Sequence, residues 1–179
     1  MKRLFLLLAM AALGTALAAQ ANPAAELSLD FTRQSGSASN QYAIWVEDAQ
    51  GRYVKTLYAT RWTARGGWER RPTSIPVWVR QSALSGKTRA EVDAASGATP
   101  RTGTFTYTWD GTNSKGESVP AGDYVLILEG TLRWENQVMY RAPIRLGQGA
   151  SAVQVNPVYS GDSANERSMI QNVTVRVLR

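Results

Sequence analysis

The stretch from Thr104 to Trp109 reads TFTYTW, and it restricts the possible folds more than any other part of the chain. Phe105, Tyr107 and Trp109 alternate with Thr104, Thr106 and Thr108. A period of two places the three rings on one face and the three hydroxyls on the other, in residue types that favour extended backbone. A helix would scatter the same rings around its axis. The residues that follow, WDGTNSKGESVPAGDY at 109–124, read as a turn feeding the next strand. Asp110 can accept hydrogen bonds from the amides just beyond it, and Gly111 and Gly116 permit positive φ. Pro120 and Gly122 suit the second and fourth positions of a type I turn. Asp110, Asn113 and Glu117 lack the alternating acidic pattern and the glycine of a calcium loop, so they are assigned to the turn and no metal site is expected.

Other segments repeat the signal. Leu27, Leu29 and Phe31 alternate with Ser28, Asp30 and Thr32. YAIWVEDAQGRYVKTLYAT, residues 42–60, is a hairpin centred on Asp48-Ala49-Gln50-Gly51. Tyr124 to Leu128 has no polar member, which predicts a central strand covered on both sides. Residues 137–146 and the Val173, Val175, Val177 alternation add two more strands. Residues 61–90 are less regular. Ser74 to Gln81 reads as one short helix, with Ser74 near the cap and Pro76 in the first turn, or as a strand. The chain is therefore expected to be all-β: an immunoglobulin-like β-sandwich of about seven strands with at most one short helix, forming a single domain over 22–179.

The N-terminus is of a different kind. Met1-Lys2-Arg3, a short apolar run and small residues up to Ala21 describe a secretory signal peptide over 1–21. Cleavage fits after Ala18 or after Ala21. The apolar run is short for a membrane span, so stable membrane insertion is not expected. No Cys stands at the cleavage site to carry a lipid anchor, and the expected location is the periplasm. Removing Lys2 and Arg3 leaves 18 basic and 14 acidic residues, a mild excess that does not mark a nucleic-acid binder.

Two absences narrow the chemistry. The chain has no Cys and no His. Disulfides, thiolate nucleophiles, Ser–His triads and the familiar zinc, copper and non-haem iron sites need one or the other. No carboxylate pair offers an alternative, and the expected protein is not an enzyme.

Two stretches carry the remaining functional signal. RWTARGGWERRP at 61–72 sets Arg61, Arg65, Arg70 and Arg71 beside Trp62 and Trp68. Guanidinium groups bind phosphate in a bidentate way and indoles stack on flat rings. Arg61, Trp62, Arg65 and Trp68 are thus candidate contacts to a phosphorylated aromatic group. The plain alternative is a surface loop whose tryptophans cap the sandwich. DAASGATP at 93–100 presents Asp93, Ser96, Gly97, Ala98 and Thr99 in the order D-x-x-S-G-A-T. The Thr99 hydroxyl is a candidate point of attachment. Pro100 follows directly. The alternative here is a loop in which Asp93 caps a turn, Gly97 bends it and Pro100 leads to the strand at Thr104.

Three resemblances rest on these residues. The Trp109-Asp110-Gly111 to Pro120-Ala121-Gly122-Asp123-Tyr124 connection resembles that of immunoglobulin-like domains such as the one in the flagellar hook-capping protein. Asp93 to Thr99 resembles the D-x-x-[ST]-G-A-[ST] signature at which periplasmic flavin transferases attach FMN. The resemblance implies that FMN is transferred from FAD to Thr99, with Asp93, Ser96, Gly97 and Ala98 completing the signature. The mature chain as a whole, with its Tyr42–Leu57 hairpin, Arg61–Arg71 loop, Asp93–Pro100 stretch and Trp109–Tyr124 turn, resembles the predicted periplasmic protein family of unknown function 2271. That resemblance implies a link to flavin-dependent electron transfer outside the cytoplasm. The implied partners are a periplasmic flavin transferase and a PepSY-type membrane protein. The competing expectation is an accessory or binding module of a membrane electron-transfer system, without cofactor, in which the SGAT stretch is a structural loop.

Overall fold

The alternating stretches pair as their period requires. In the computed structural model, which describes residues 23–36, 39–161 and 167–179, ten strands form two sheets. The first sheet has the order β5 (Gly103–Trp109), β1 (Ala25–Phe31), β10 (Ile170–Val177), β8 (Ser151–Gln154), all antiparallel. The second has the order β4 (Ser96–Gly97), β3 (Tyr53–Thr60), β2 (Gln41–Asp48), β6 (Gly122–Arg133), β7 (Asn136–Leu146), β9 (Val158–Ser160). Within it only the β3–β4 pair is parallel. Seven strands have seven residues or more, and they are the ones whose alternation is visible in the sequence. β4, β8 and β9, with two, four and three residues, are too short to show a period. The signal-peptide reading of residues 1–21 lies outside the described residues.

The β-sandwich core lies between the sheets. Leu27, Leu29, Phe31, Val173, Val175 and Val177 face Tyr42, Ile44, Val46, Leu126, Leu128 and Tyr140. Full burial of each large side chain contributes roughly 1.5–3 kcal/mol by transfer from water. Gly130 of β6 lets the layers meet: a Cβ there would lie 2.6 Å from Ile170 Cδ1 in the opposite sheet. In the 109–124 turn the Asp110 carboxylate accepts from the Thr112 amide and from Lys55 Nζ, each at 3.0 Å.

The apolar run in β6 is buried on both faces, as its composition requires, because a second core covers the outer face of the six-stranded sheet. Ala43, Trp45, Ala59 and Ile127 meet Ala64, Ile75, Trp78 and Leu84 there. This cover is the excursion between β3 and β4. It holds a helical turn at Thr63–Gly67, one further turn α1 (Trp68–Arg70), α2 (Pro76–Gln81) and α3 (Arg89–Ala95). The sandwich thus carries more helix than the single short one expected. The Ser74–Gln81 stretch is a helix, not a strand, with Pro76 at its start, but the residue before it is Ile75, not Ser74. Ile75 adopts φ 41°, held by its amide donating to Thr131 Oγ1 at 2.8 Å. The buried Glu129 carboxylate accepts from the Val77 and Trp78 amides at 3.0 and 2.7 Å, satisfying two N–H groups that a short helix leaves free.

Candidate functional site

The topology joins the two stretches that stand apart in sequence. β3 ends at Thr60 and runs directly into the Arg/Trp segment, and the chain returns 35 residues later as β4, parallel to the end of β3. Ala59 is opposite Ser96 and Thr60 opposite Gly97. Arg61 and Ala98 therefore leave the same corner of the sheet side by side. Between them opens a cavity of about 550 Å³. Arg61, Trp62, Arg65, Gly66, Gly67, Glu69, Arg70, Ala98 and Thr99 line it. A volume of several hundred Å³ is in the range of sites for nucleotide-sized ligands.

Each wall has a local cause. The Arg/Trp stretch is helical, with a kink where Arg65 (φ −98°, ψ 34°) and Gly66 (φ 97°) leave helical geometry. Gly66 supplies a positive φ that a side chain resists. Gly67 is required for space: a Cβ there would fall 2.5 Å from the Trp62 ring. Trp62 stays 42% exposed at the cavity. Trp68 takes another place. It is half-buried against the second core and lines no wall of the cavity. Six residues of helix turn a side chain through roughly 240°, so Trp62 and Trp68 point to different faces. The structure thus does not bring the expected Trp68 to the other candidate contacts, and it adds Arg70 to them.

The opposite wall is the SGAT segment. Asp93 lies in the last turn of α3 and caps no turn of its own. Its carboxylate accepts from Arg65 Nε at 2.7 Å, which ties α3 to the kinked segment, and Arg89 Nε stands 3.8 Å away. The hydrogen bond from Arg65 holds the Asp93 carboxyl below its ordinary value, with the charges of Arg65, Arg89 and Arg61 acting the same way. Gly97 does not bend the chain through a positive φ, for it continues β4. Its need is steric: a Cβ would lie 2.7 Å from Tyr58 Cε2. The Tyr58 hydroxyl donates to the Ala98 carbonyl at 2.8 Å. Burial pushes the Tyr58 phenol up, so it remains a donor at any ordinary pH. The Ser96 hydroxyl is buried without a hydrogen-bond partner and does not face a ligand wall. Thr99 follows on the loop toward β5. It is half-buried, and its hydroxyl makes no hydrogen bond among the described residues.

The charges on the walls are uneven. Three arginines face one acid, Glu69, and Arg65 is already paired with Asp93. Arg61 and Arg70 have no ion pair among the described residues and are exposed. Two free guanidinium groups, an indole and an unengaged hydroxyl form a donor set suited to a phosphate ester bearing a flat ring. No group of three or more Asp and Glu side chains that could hold a metal ion occurs among the described residues.

Tyr58 was missed by sequence reasoning as part of this region. Tyr58 reads as one more residue of a hairpin strand, and its contact with Gly97 crosses 39 positions. No local signal marks it.

A two-sheet β-sandwich with a helical layer and a cationic cavity at one corner is the class that fold and site define. The chain belongs to the family described as predicted periplasmic protein DUF2271, whose family model matches residues 24–160. Neither the curated proteins nor the solved structures contain a match to the chain. None of the described helices is long and apolar enough to cross a membrane.

Proposed function

We propose that this periplasmic protein is a non-catalytic flavin carrier, with FMN joined covalently to Thr99, serving electron transfer outside the cytoplasm. The observation that carries the reading is the Thr99 hydroxyl, unengaged at the lip of a cavity lined by Arg61, Arg65 and Arg70. The bond would be made by a periplasmic flavin transferase. The Thr99 Oγ attacks the FMN-side phosphorus of FAD, the phosphoanhydride breaks, and AMP leaves. The hydroxyl proton passes to the transferase. This chain contributes the acceptor oxygen and a segment of small residues, Ser96 to Ala98, that another enzyme can approach. Arg65 and Asp93 fix that segment against the kinked helix. The bound flavin supplies the redox chemistry, and a PepSY-type membrane protein is the proposed electron partner.

The test is intact mass after co-expression with a flavin transferase. The expected product is heavier by one FMN less one water, and Thr99→Val should show no gain. An unmodified wild-type product, or a gain that survives Thr99→Val, overturns the reading.

A second reading is favoured by a specific contact. Gly97 is explained by the Tyr58 ring, and Ser96–Gly97 by pairing with β3, without any cofactor. On that reading the SGAT stretch is a structural loop of an accessory module. The same mass measurement separates the two.

A further inference from the structure

Trp62 is an exposed side chain whose ring nonetheless has close neighbours. Its ring lies against Gly67, and the Arg71 guanidinium stands over it, 5.6 Å from the ring centroid. The Arg71 amide donates to the Gly67 carbonyl at 2.9 Å. Arg71 is held in turn. Its guanidinium stands 5.0 Å from the Trp134 ring centroid and donates to Ser39 Oγ at 3.1 Å. Trp134 sits in the β6–β7 turn with φ 51° and 50% exposure. Left-handed backbone is unusual for a bulky residue. Neither Arg71 nor Trp134 lines the cavity. Their contacts lead to it through one residue, the Trp62 indole.

We propose that the cavity binds a planar aromatic phosphate monoester on its own, before and without any covalent bond, and that Arg71 and Trp134 are positioning residues for that site. Arg61 and Arg70 hold the phosphate, because Arg65 is committed to Asp93. Trp62 gives the ring a platform. Arg71 and Trp134 fix the plane of that platform ahead of binding, which lowers the ordering cost when the ligand arrives. The choice of FMN as the monoester rests on the flavin reading above, whereas the site itself does not require Thr99.

The experiment uses the Thr99→Val protein, which cannot be modified, titrated with FMN, riboflavin and AMP by calorimetry. FMN should bind, and riboflavin, which lacks the phosphate, should bind roughly 10- to 100-fold more weakly, as expected for loss of charge-assisted hydrogen bonds. Arg61→Ala with Arg70→Ala should reduce FMN binding to the riboflavin level. Trp134→Ala should weaken FMN several-fold while leaving the FMN-to-riboflavin ratio unchanged, a pattern that a lost phosphate contact would not give. AMP binding as tightly as FMN would support the site and remove the flavin preference. Absence of FMN binding at millimolar concentration, equal binding of FMN and riboflavin, or an unchanged affinity in Trp134→Ala in a folded protein would overturn the proposal. If wild-type protein is flavinylated but Thr99→Val binds nothing, covalent attachment stands and this inference fails. If Thr99→Val binds FMN but wild-type never gains mass, the reverse holds.

Discussion

At the scale of single residues, the D-x-x-S-G-A-T stretch divides into parts with different physical reasons. Asp93 is an ion-pair partner, Gly97 a spacer for an aromatic ring, and Thr99 an unengaged hydroxyl. Gly97→Ala should cost about 1–3 kcal/mol, the usual effect of forcing extra atoms into a packed site. Tyr58 cannot yield easily, because its ring packs within 5.0 Å of the Tyr42 centroid and 4.9 Å of the Tyr107 centroid. The check is a denaturant titration of the unmodified protein. An unchanged midpoint would mean that Tyr58 does not set this position. This prediction needs no flavin, so it tests the packing of the loop separately from its chemistry.

At the scale of elements, the helical cover depends on a buried carboxylate. Glu129 reaches from β6 to the start of α2 and accepts from two of its amides. Burial nonetheless pushes its carboxyl up to about 7, against an ordinary value of 4.5. The folded protein therefore holds this proton more tightly than the unfolded chain does. The resulting contribution to stability is full below 4.5 and is lost as pH rises through about 7. The Tm should fall across that interval, and Glu129→Gln should flatten the fall. An identical slope in Glu129→Gln would assign the pH dependence to other groups. α3 has a simpler start, a capping box in which the Thr88 hydroxyl accepts from the Glu91 amide and the Glu91 carboxylate accepts from the Thr88 amide. That T-x-x-E pattern is local in the sequence, although a short polar helix with no apolar stripe gives little else to detect.

At the scale of the whole molecule, the two sheets meet closely at Gly130, a position that lacks a side chain. Gly130→Ala would place a methyl 2.6 Å from Ile170 Cδ1 and 3.1 Å from Val138 Cγ1. Both neighbours are buried, so relief requires them or the sheets to shift, and a loss of about 1–3 kcal/mol is expected in the unfolding free energy. A neutral result would show that Ile170 can change rotamer without cost. The same layering explains why the helical cover was underestimated. Trp45 and Ile127 look like ordinary strand residues, yet they need a partner on the outer face, and the segment that provides it, 61–95, has no long amphipathic run.

The seven long strands, the 48–51 hairpin turn and the sandwich are legible in the chain itself. Side-chain alternation and turn chemistry are local, and a strand buried on both faces announces itself by composition. The sequence also singled out the Arg/Trp and SGAT stretches, because their residue types carry chemistry. Only the tertiary structure decided that the two stretches share one cavity. It also turned Trp68 away, brought Arg70 in, and set Tyr58 over Gly97. The reason is the parallel β3–β4 pair: two hydrogen-bonded positions close a 35-residue excursion, and a pairing that short has no periodic trace in the chain.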